Sequence, residues 1–190
     1  GGELERRSAT DIFIEPGFAF GTGLHQTTQL CLRWLEGNRD EVRGKMIVDY
    51  GAGSGILAVA SLQFGASSVV ATDVEESSIF AMGLNAECNA VDNGGMLRPV
   101  LVDHQQVLCG ECEGLRGVRT ECLLANILLK PLLELEQTFA TLVASPGGKI
   151  VLSGILATQV PQVKAAYGEH FEQFSEILDD EWALLTAVRK

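Results

Sequence analysis

Blocks of apolar residues alternate with blocks of mixed polarity along this chain, and they predict strands and helices in turn. Continuous apolar runs predict five buried strands, at about 46–48, 69–73, 96–102, 122–125 and 149–153. Apolar residues with helical spacing predict helices after four of these strands, at about 56–64, 75–89, 131–143 and 158–168. Two last strands are predicted at about 171–178 and 182–188, on either side of Asp179-Asp180, and they form a hairpin because strands so close in the chain can only pair antiparallel.

The start of the chain and one later stretch are less regular. Residues 11–15 alternate between apolar and polar, which predicts a short strand before Pro16. Glycine, proline and threonine then predict an irregular loop through Gly23, followed by a helix over about 27–35. The polar stretch 104–119 predicts another loop. Repeated βα units, a final hairpin and no linker predict one α/β domain over residues 1–190, with a doubly wound, mostly parallel sheet of seven strands.

A glycine-rich turn joins the first of the five buried strands to its helix. The turn reads Asp49-Tyr50-Gly51-Ala52-Gly53-Ser54-Gly55, and the helix begins at Ile56. Such a turn presents free backbone N–H groups to a ligand at the start of a helix. A dinucleotide site needs a small residue where Ile56 stands, so a nicotinamide dehydrogenase is disfavoured. The spacing resembles the first motif of Rossmann-like S-adenosylmethionine methyltransferases; an ordinary glycine turn is the alternative.

Polar residues also end three other predicted strands. Asp73 follows the second strand and could accept hydrogen bonds from a ribose diol, or could cap the next helix. Asp103 follows the third strand, and a residue of Asp103-His104-Gln105 could meet an adenine edge or lie in a surface loop. Asn126 ends an otherwise apolar strand. Because the carboxyl ends of parallel strands share one edge of the sheet, these residues and the glycine turn are expected at one site.

The chemistry of Asn126 suits transfer of a methyl group to nitrogen. An amine must arrive neutral at a sulfonium methyl, although a lysine in solution has a pKa near 10.4. The carbonyl of an asparagine side chain can accept a hydrogen bond from the amine and aim its lone pair, so that positioning supplies most of the rate. On this chemistry alone, a turn or cap role for Asn126 is an equal alternative.

Composition limits the classes of partner. The net charge of −11 disfavours a nucleic-acid groove and permits a basic protein partner. No apolar run approaches the roughly 20 residues that cross a bilayer. Five cysteines, an odd number without a framework spacing, fit a reducing compartment such as the cytoplasm. The pair Cys109 and Cys112 has no second pair or nearby histidine, so we expect loop cysteines and no metal site.

Several longer motifs resemble the ribosomal protein L11 methyltransferase (PrmA-type) family. They are the loop FGTGLHQTT at 20–28 with Phe18 and Ala19 before it, the segment 48–60, LANIL at 124–128, LSGIL at 152–156 and Glu181-Trp182. The resemblance runs from about Glu15 to the C-terminus. It implies a Rossmann-like class I methyltransferase fold and S-adenosyl-L-methionine as cofactor. It also implies a domain without the N-terminal ferredoxin-like domain with which bacterial members grip their substrate.

The resemblance also implies roles for single residues. Thr28, Gly51, Asp73 and Asn126 are expected to contact the cofactor, together with Gly53 and Gly55 of the same turn. Asn126 and the loop that contains His25 are expected to border the target amine. His25 could accept a proton from that amine or cap the helix after it, and the capping role is favoured.

These observations predict an S-adenosylmethionine-dependent protein N-methyltransferase. The family methylates lysine side chains and an N-terminal amine of a large-subunit ribosomal protein, so a basic ribosomal protein is the expected partner. The alternatives are a methyltransferase of the same fold with another protein or a small molecule as substrate, and a non-catalytic binding module. We expect a cytoplasmic protein; an organellar location would require a targeting segment upstream of these residues.

Overall fold

A computed structural model describes residues 11–15, 21, 23–91 and 94–190. Within these ranges, seven strands form one sheet in the order β3-β2-β1-β4-β5-β7-β6. The strands are β1 (Met46–Tyr50), β2 (Ser68–Asp73), β3 (Leu97–Leu101), β4 (Cys122–Asn126), β5 (Lys149–Leu156), β6 (Phe171–Asp179) and β7 (Trp182–Arg189). The helices are α1 (Gln26–Gly37), α2 (Ile56–Gln63), α3 (Glu76–Cys88), α4 (His104–Leu108), α5 (Leu129–Glu134), α6 (Glu136–Leu142) and α7 (Val160–Tyr167).

The topology confirms the predicted doubly wound sheet with a terminal hairpin. Strands β1 to β5 are parallel to one another, whereas β7 runs antiparallel to both β5 and β6. The order reverses at the pair β1–β4, because the chain winds outwards from β1 to β3 and then returns to the other side of β1. A cleft opens at such a reversal, since the connections after the two strands leave to opposite faces.

Alternate residues of the strands point into two separate apolar layers. Val48 of β1 packs into the layer that contains Phe139 and Tyr167, whereas Ile47 packs against helices α1, α2 and α3. Helix α2 is buried along nearly its whole length, which explains why its sequence is apolar on every side. Packing of these two layers on the sheet holds in place the strand ends that form the cleft.

The predicted strand at residues 11–15 is wrong, because this segment has no strand partner. Side chains of α3 and of its C-cap residue Asn89 make the hydrogen bonds that a neighbouring strand would otherwise make. Asn89 accepts a hydrogen bond from the N–H of Phe13 and donates one to its carbonyl, at 2.8 and 2.7 Å. The N–H of Glu15 donates to Asn85 Oδ1 at 2.8 Å. The predicted loop residues 16–20 and 22 lie outside the described residues.

Two other predicted elements differ from the structure. The stretch 104–119 contains α4 and a 3-10 turn at Glu113–Leu115, because Asp103 caps α4 and the buried Val107 and Leu115 anchor it. The helix predicted over 131–143 begins at Leu129 and divides into α5 and α6 at Leu135. The break lets buried Leu135 stay in the same core layer as Phe139.

Gly154 of β5 allows the segment after Asn126 to approach the sheet. Its φ is +82°, and a Cβ there would collide with the backbone of Ile127. The pairing of β5 with β7 shifts register between Leu152 and Ile155, so Gly154 lies in a bulge. The close approach brings residues 126–128 to the cleft.

We predict that Gly154→Ala destabilises the fold more than Gly117→Ala does. Gly117 has a similar φ of +72°, but a Cβ there meets nothing within 4 Å. Both variants carry the strain of positive φ, whereas only Gly154→Ala adds the collision, for an expected further loss of about 1–3 kcal/mol in unfolding free energy. Urea unfolding measures the difference. Equal losses would show that residues 126–128 do not depend on the close approach.

Candidate functional site

A cleft of about 910 Å³ lies above the carboxyl ends of β1, β2 and β4. Its lining comes from the glycine turn, from the ends of β2 and β4, and from residues on α1, α4, α5 and β7. The lining includes His25, Tyr50, Gly51, Gly53, Asp73, Val102, His104, Asn126, Leu128, Glu134 and Trp182. The cleft therefore brings together most of the residues that the sequence singled out.

The glycine turn is held in a conformation that only glycine adopts readily. Gly51, Gly53 and Gly55 have φ of +71°, +55° and +78°. Gly51 and Gly53 line the cleft, whereas Gly55 lies at the start of α2 against Met82 and is not among the lining residues. The turn thus presents backbone, rather than side chains, to the cleft.

Asp73 ties the end of β2 to the glycine turn. Its Oδ2 accepts a hydrogen bond from the N–H of Gly53 at 2.8 Å, and its Oδ1 accepts one from the N–H of Glu75 at 3.1 Å. A carboxylate has about four acceptor positions, so two further donors from a ligand could still be accommodated. The geometry can hold a diol at the rim of the turn.

Asn126 faces the cleft from the end of β4, and Thr28 of α1 holds its amide. Asn126 Nδ2 donates a hydrogen bond to Thr28 Oγ1 at 3.2 Å. Thr28 is only 1% exposed and is not among the cleft-lining residues, so it lies behind Asn126. With the amide nitrogen engaged, Oδ1 is the atom of Asn126 that can accept a hydrogen bond in the cleft. Direct contact of Thr28 with a cofactor stays a prediction.

His25 caps helix α1, as one of the two sequence interpretations has it. Its Nδ1 accepts from the N–H of Thr27 at 3.3 Å and lies 2.8 Å from Thr27 Oγ1. The imidazole also meets the Trp182 ring edge to face, with 4.9 Å between the centroids. Both rings line the cleft on the side of Asn126. A proton-accepting role for His25 stays a prediction.

At the opposite end of the cleft, the sequence predicted a possible adenine contact within Asp103-His104-Gln105, and His104 of this stretch lines the cleft, whereas Val102 and Glu134 were not predicted. Val102 and His104 approach it from the end of β3 and from α4, and Glu134 approaches it from α5. His104 Nε2 lies 3.0 Å from Glu134 Oε2, so this pair joins α4 to α5. Asp103 caps α4 through the N–H of Gln106 at 3.0 Å and is not among the cleft-lining residues. The sequence signal for helix α4 is the capping residue Asp103 followed by the apolar Val107. The prediction of a loop at 104–119 did not use this signal.

Asp49, the acidic residue of the glycine motif, is buried below the cleft. It is 1% exposed, and neither carboxyl oxygen has a hydrogen-bond partner among the described residues. Burial is the main cause that raises its pKa to about 7; the nearby Ala58 N–H, which does not reach hydrogen-bond geometry, opposes the rise, and the Asp73 charge contributes to it. A carboxyl held in this way favours its neutral form.

The structure bears on two further expectations. Within the described ranges, no three His, Cys, Asp or Glu side chains are arranged to hold a metal ion. All five cysteines are free thiols, with Cys109 exposed and Cys112 buried. Among the described helices, none has the length and apolar character needed to span a bilayer.

The fold is that of the Rossmann-like methyltransferases. Similar solved structures include a ribosomal protein L11 methylase from Lactobacillus delbrueckii, with a TM-score of 0.77 and 31% identity, covering 93% of this chain and 84% of that one. They also include a 16S rRNA methyltransferase (RsmC) from T. thermophilus in complex with AdoMet and guanosine, with a TM-score of 0.71 and 20% identity, covering 90% of this chain and 45% of that one.

The family model described as "Ribosomal protein L11 methyltransferase (PrmA)" matches residues 3–190. Among curated relatives, the ribosomal protein L11 methyltransferases of Shewanella piezotolerans and Actinobacillus pleuropneumoniae are 40% and 39% identical over 188 residues. The chain belongs to the ribosomal protein L11 methyltransferase family. The matches cover 99% of this chain and 59% of each relative, so the chain spans about three fifths of their length.

The raised pKa of Asp49 predicts a stability that falls as pH rises. In the unfolded chain this carboxyl ionises near its ordinary value of 3.8, whereas in the folded chain its pKa is about 7. Unfolding between these values releases a proton, so the contribution of Asp49 falls from about pH 4 to about pH 7 and then levels off. Asp49→Asn should remove this part of the pH dependence in urea unfolding.

The exposed Asp40, whose side chain is 98% accessible, gives the matched control. Asp40→Asn should keep the wild-type slope of unfolding free energy against pH. A wild-type slope in Asp49→Asn would mean that the buried carboxyl ionises as readily as an exposed one.

Proposed function

We propose that this chain binds S-adenosyl-L-methionine in the cleft and catalyses methyl transfer to amino groups of a protein, namely lysine side chains or an N-terminal amine of a large-subunit ribosomal protein. The observation that carries the proposal is the neutral amide of Asn126, which faces the same cleft as the glycine turn and Asp73. The names of the relatives and the AdoMet complex of a structural neighbour support it.

The residues of the cleft fit this cofactor. Asp73 would hold the ribose diol with the acceptor positions that Gly53 and Glu75 leave free. Gly51 and Gly53 would let the ligand approach the backbone of the turn, since neither presents a side chain. The apolar Val102 and Leu128 would flank the adenine, and a cleft of this volume has room for an acceptor side chain beside the cofactor.

The cofactor supplies an electrophilic methyl group on a sulfonium, and the protein positions the acceptor. Asn126 Oδ1 would accept a hydrogen bond from the amine N–H and aim its lone pair at the methyl group. The Thr28 hydroxyl keeps the amide in that orientation. The ammonium group would have to lose one proton to solvent before reaction, and the nitrogen that gains the methyl group would remain a protonated ammonium near neutral pH. The His25 and Trp182 rings would border the acceptor on the side of Asn126.

The net charge and the free thiols also bear on the partner and the compartment in this proposal. A net charge of −11 favours approach by a basic protein and opposes direct binding to nucleic acid. Five free thiols are compatible with the reducing cytoplasm, where ribosomal proteins are made. Residues 1–190 would then be the methyltransferase domain of the enzyme.

Two measurements test the proposal. Calorimetry with S-adenosylhomocysteine tests the cofactor, and no binding by the folded chain would refute the cofactor assignment. Incubation with methyl-labelled S-adenosylmethionine and purified large-subunit proteins tests the acceptor, with mass spectrometry locating the label on an amine. Label on another protein or a small molecule would keep the enzyme class and change the substrate, and binding without transfer to any acceptor would favour a non-catalytic module.

We predict that Asp73→Asn weakens binding of S-adenosylhomocysteine. An amide keeps one acceptor but cannot serve both ribose hydroxyls and the backbone N–H groups, and the expected loss is roughly 1–3 kcal/mol in binding free energy. Calorimetry measures the change. Asp103→Asn is the matched control, because Asp103 also follows a strand of the same sheet edge but caps α4 and does not line the cleft. Equal losses in the two variants would contradict the ribose assignment.

We predict that Asn126→Ala lowers kcat at saturating cofactor by about 100-fold, because the amine is then no longer aimed. Thr28→Val should lower kcat by about fivefold, as the loss of one neutral hydrogen bond implies, and Thr28→Ser should stay near wild type. Labelled methyl transfer measures all three variants. Turnover within twofold of wild type in Asn126→Ala would show that the amide does not position the acceptor.

A further inference from the structure

One buried side chain joins the first described segment of the chain to the glycine turn. Asn85 of α3 is 0% exposed, and both of its polar atoms are used. Its Oδ1 accepts the N–H of Glu15 at 2.8 Å, and its Nδ2 donates to the carbonyl of Ser54 at 2.8 Å. Ser54 stands between Gly53 and Gly55 in the turn, so a single amide connects segment 11–15 to the residues that line the cleft.

A second asparagine, one helical turn further on, holds the same segment without touching the turn. Asn89 makes two hydrogen bonds to the backbone of Phe13, at 2.8 and 2.7 Å. Its Nδ2 also donates to the carbonyl of Asn85, at 2.7 Å. Asn85 and Asn89 thus form a short polar ladder on one face of α3, along which segment 11–15 lies as it would along a strand.

The two bonds of Asn85 depend on each other. If segment 11–15 leaves α3, Oδ1 becomes a buried acceptor without its partner, which is costly unless the side chain moves. A side chain that moves releases the Ser54 carbonyl, and the turn loses a restraint. Ser54 Oγ also donates to the carbonyl of Gly21, which ties the turn to the chain that follows segment 11–15.

We propose that Asn85 is a positioning residue that couples docking of segment 11–15 to the conformation of the glycine turn, and therefore to binding of the cofactor there. The part about the cofactor rests on the proposed function, whereas the coupling to the turn does not. Coupling of this kind is reciprocal: a ligand that orders the turn strengthens the docking of the segment, and docking strengthens the binding of the ligand.

A pair of substitutions at residue 15 isolates the coupling without altering the core. Glu15→Pro removes the N–H that Asn85 Oδ1 accepts, and residues in an extended segment tolerate proline. Glu15→Ala removes the carboxylate and keeps the N–H, so it is the matched control. Asn89→Ala releases Phe13 but leaves both bonds of Asn85 in place.

Amide hydrogen exchange of the protein without ligand gives the first test. Glu15→Pro should speed exchange at least fivefold at Gly53 and Gly55, whose N–H groups bond to Asp73 and to the carbonyl of Ala52. Glu15→Ala should leave exchange of the turn unchanged, and Asn89→Ala should speed exchange at Phe13 more than at the turn. Unchanged exchange at the turn in Glu15→Pro would overturn the coupling, whatever the ligand is.

Binding of S-adenosylhomocysteine gives the second test. Glu15→Pro should raise Kd by about 5–10-fold and Glu15→Ala by less than twofold, and the ligand should slow exchange at Phe13 in the wild type. Faster exchange at the turn with an unchanged Kd would overturn the link to the cofactor and keep the coupling. No binding by the wild type would refute the proposed function, while the exchange result still decides the coupling.

Discussion

The reversal of strand order between β1 and β4 is the constraint on which the site depends. These two strands are parallel neighbours, with Tyr50 opposite Ala125, so the glycine turn and Asn126 emerge side by side. On the other side of β1, β2 runs in parallel register and brings Asp73 to the same edge, within hydrogen-bond distance of Gly53. Three separate segments of sequence therefore meet without long loops to guide them, and their relative positions follow from backbone hydrogen bonds in the sheet.

The residues at strand ends could be predicted from sequence because their signals are local. The glycine spacing and the polar residues after apolar runs fix Gly51, Asp73 and Asn126 at one edge once the sheet is parallel. Other features depend on partners far along the chain. Residues 11–15 carry the alternation of a strand, but their hydrogen bonds go to side chains of α3 some 70 residues later. His104 and Glu134 are 30 positions apart in the chain and join α4 to α5. Nothing in the local sequence of either helix predicts that it pairs with the other.

Under the proposed function, neutral groups would organise the reaction of an amine at this site. Asn126 and Thr28 form a hydrogen-bonded pair without charge, and the ionisable Asp73 is engaged by backbone N–H groups. Asp49, the other acid of the turn, is buried and favours its neutral form. An uncharged amide suits an acceptor that must itself be neutral, since a carboxylate beside the amine would favour its protonated form. In the proposed reaction, positioning rather than proton transfer would then be the main contribution of the protein.

A crystal structure of the chain with S-adenosylhomocysteine is the most direct test of the proposed site. We expect both ribose hydroxyls within hydrogen-bond distance of the Asp73 carboxylate, with the sulfur facing the Asn126 side chain and the Thr28 hydroxyl still bonded to the amide nitrogen. A ligand bound away from the glycine turn, or with its sulfur turned from Asn126, would contradict it.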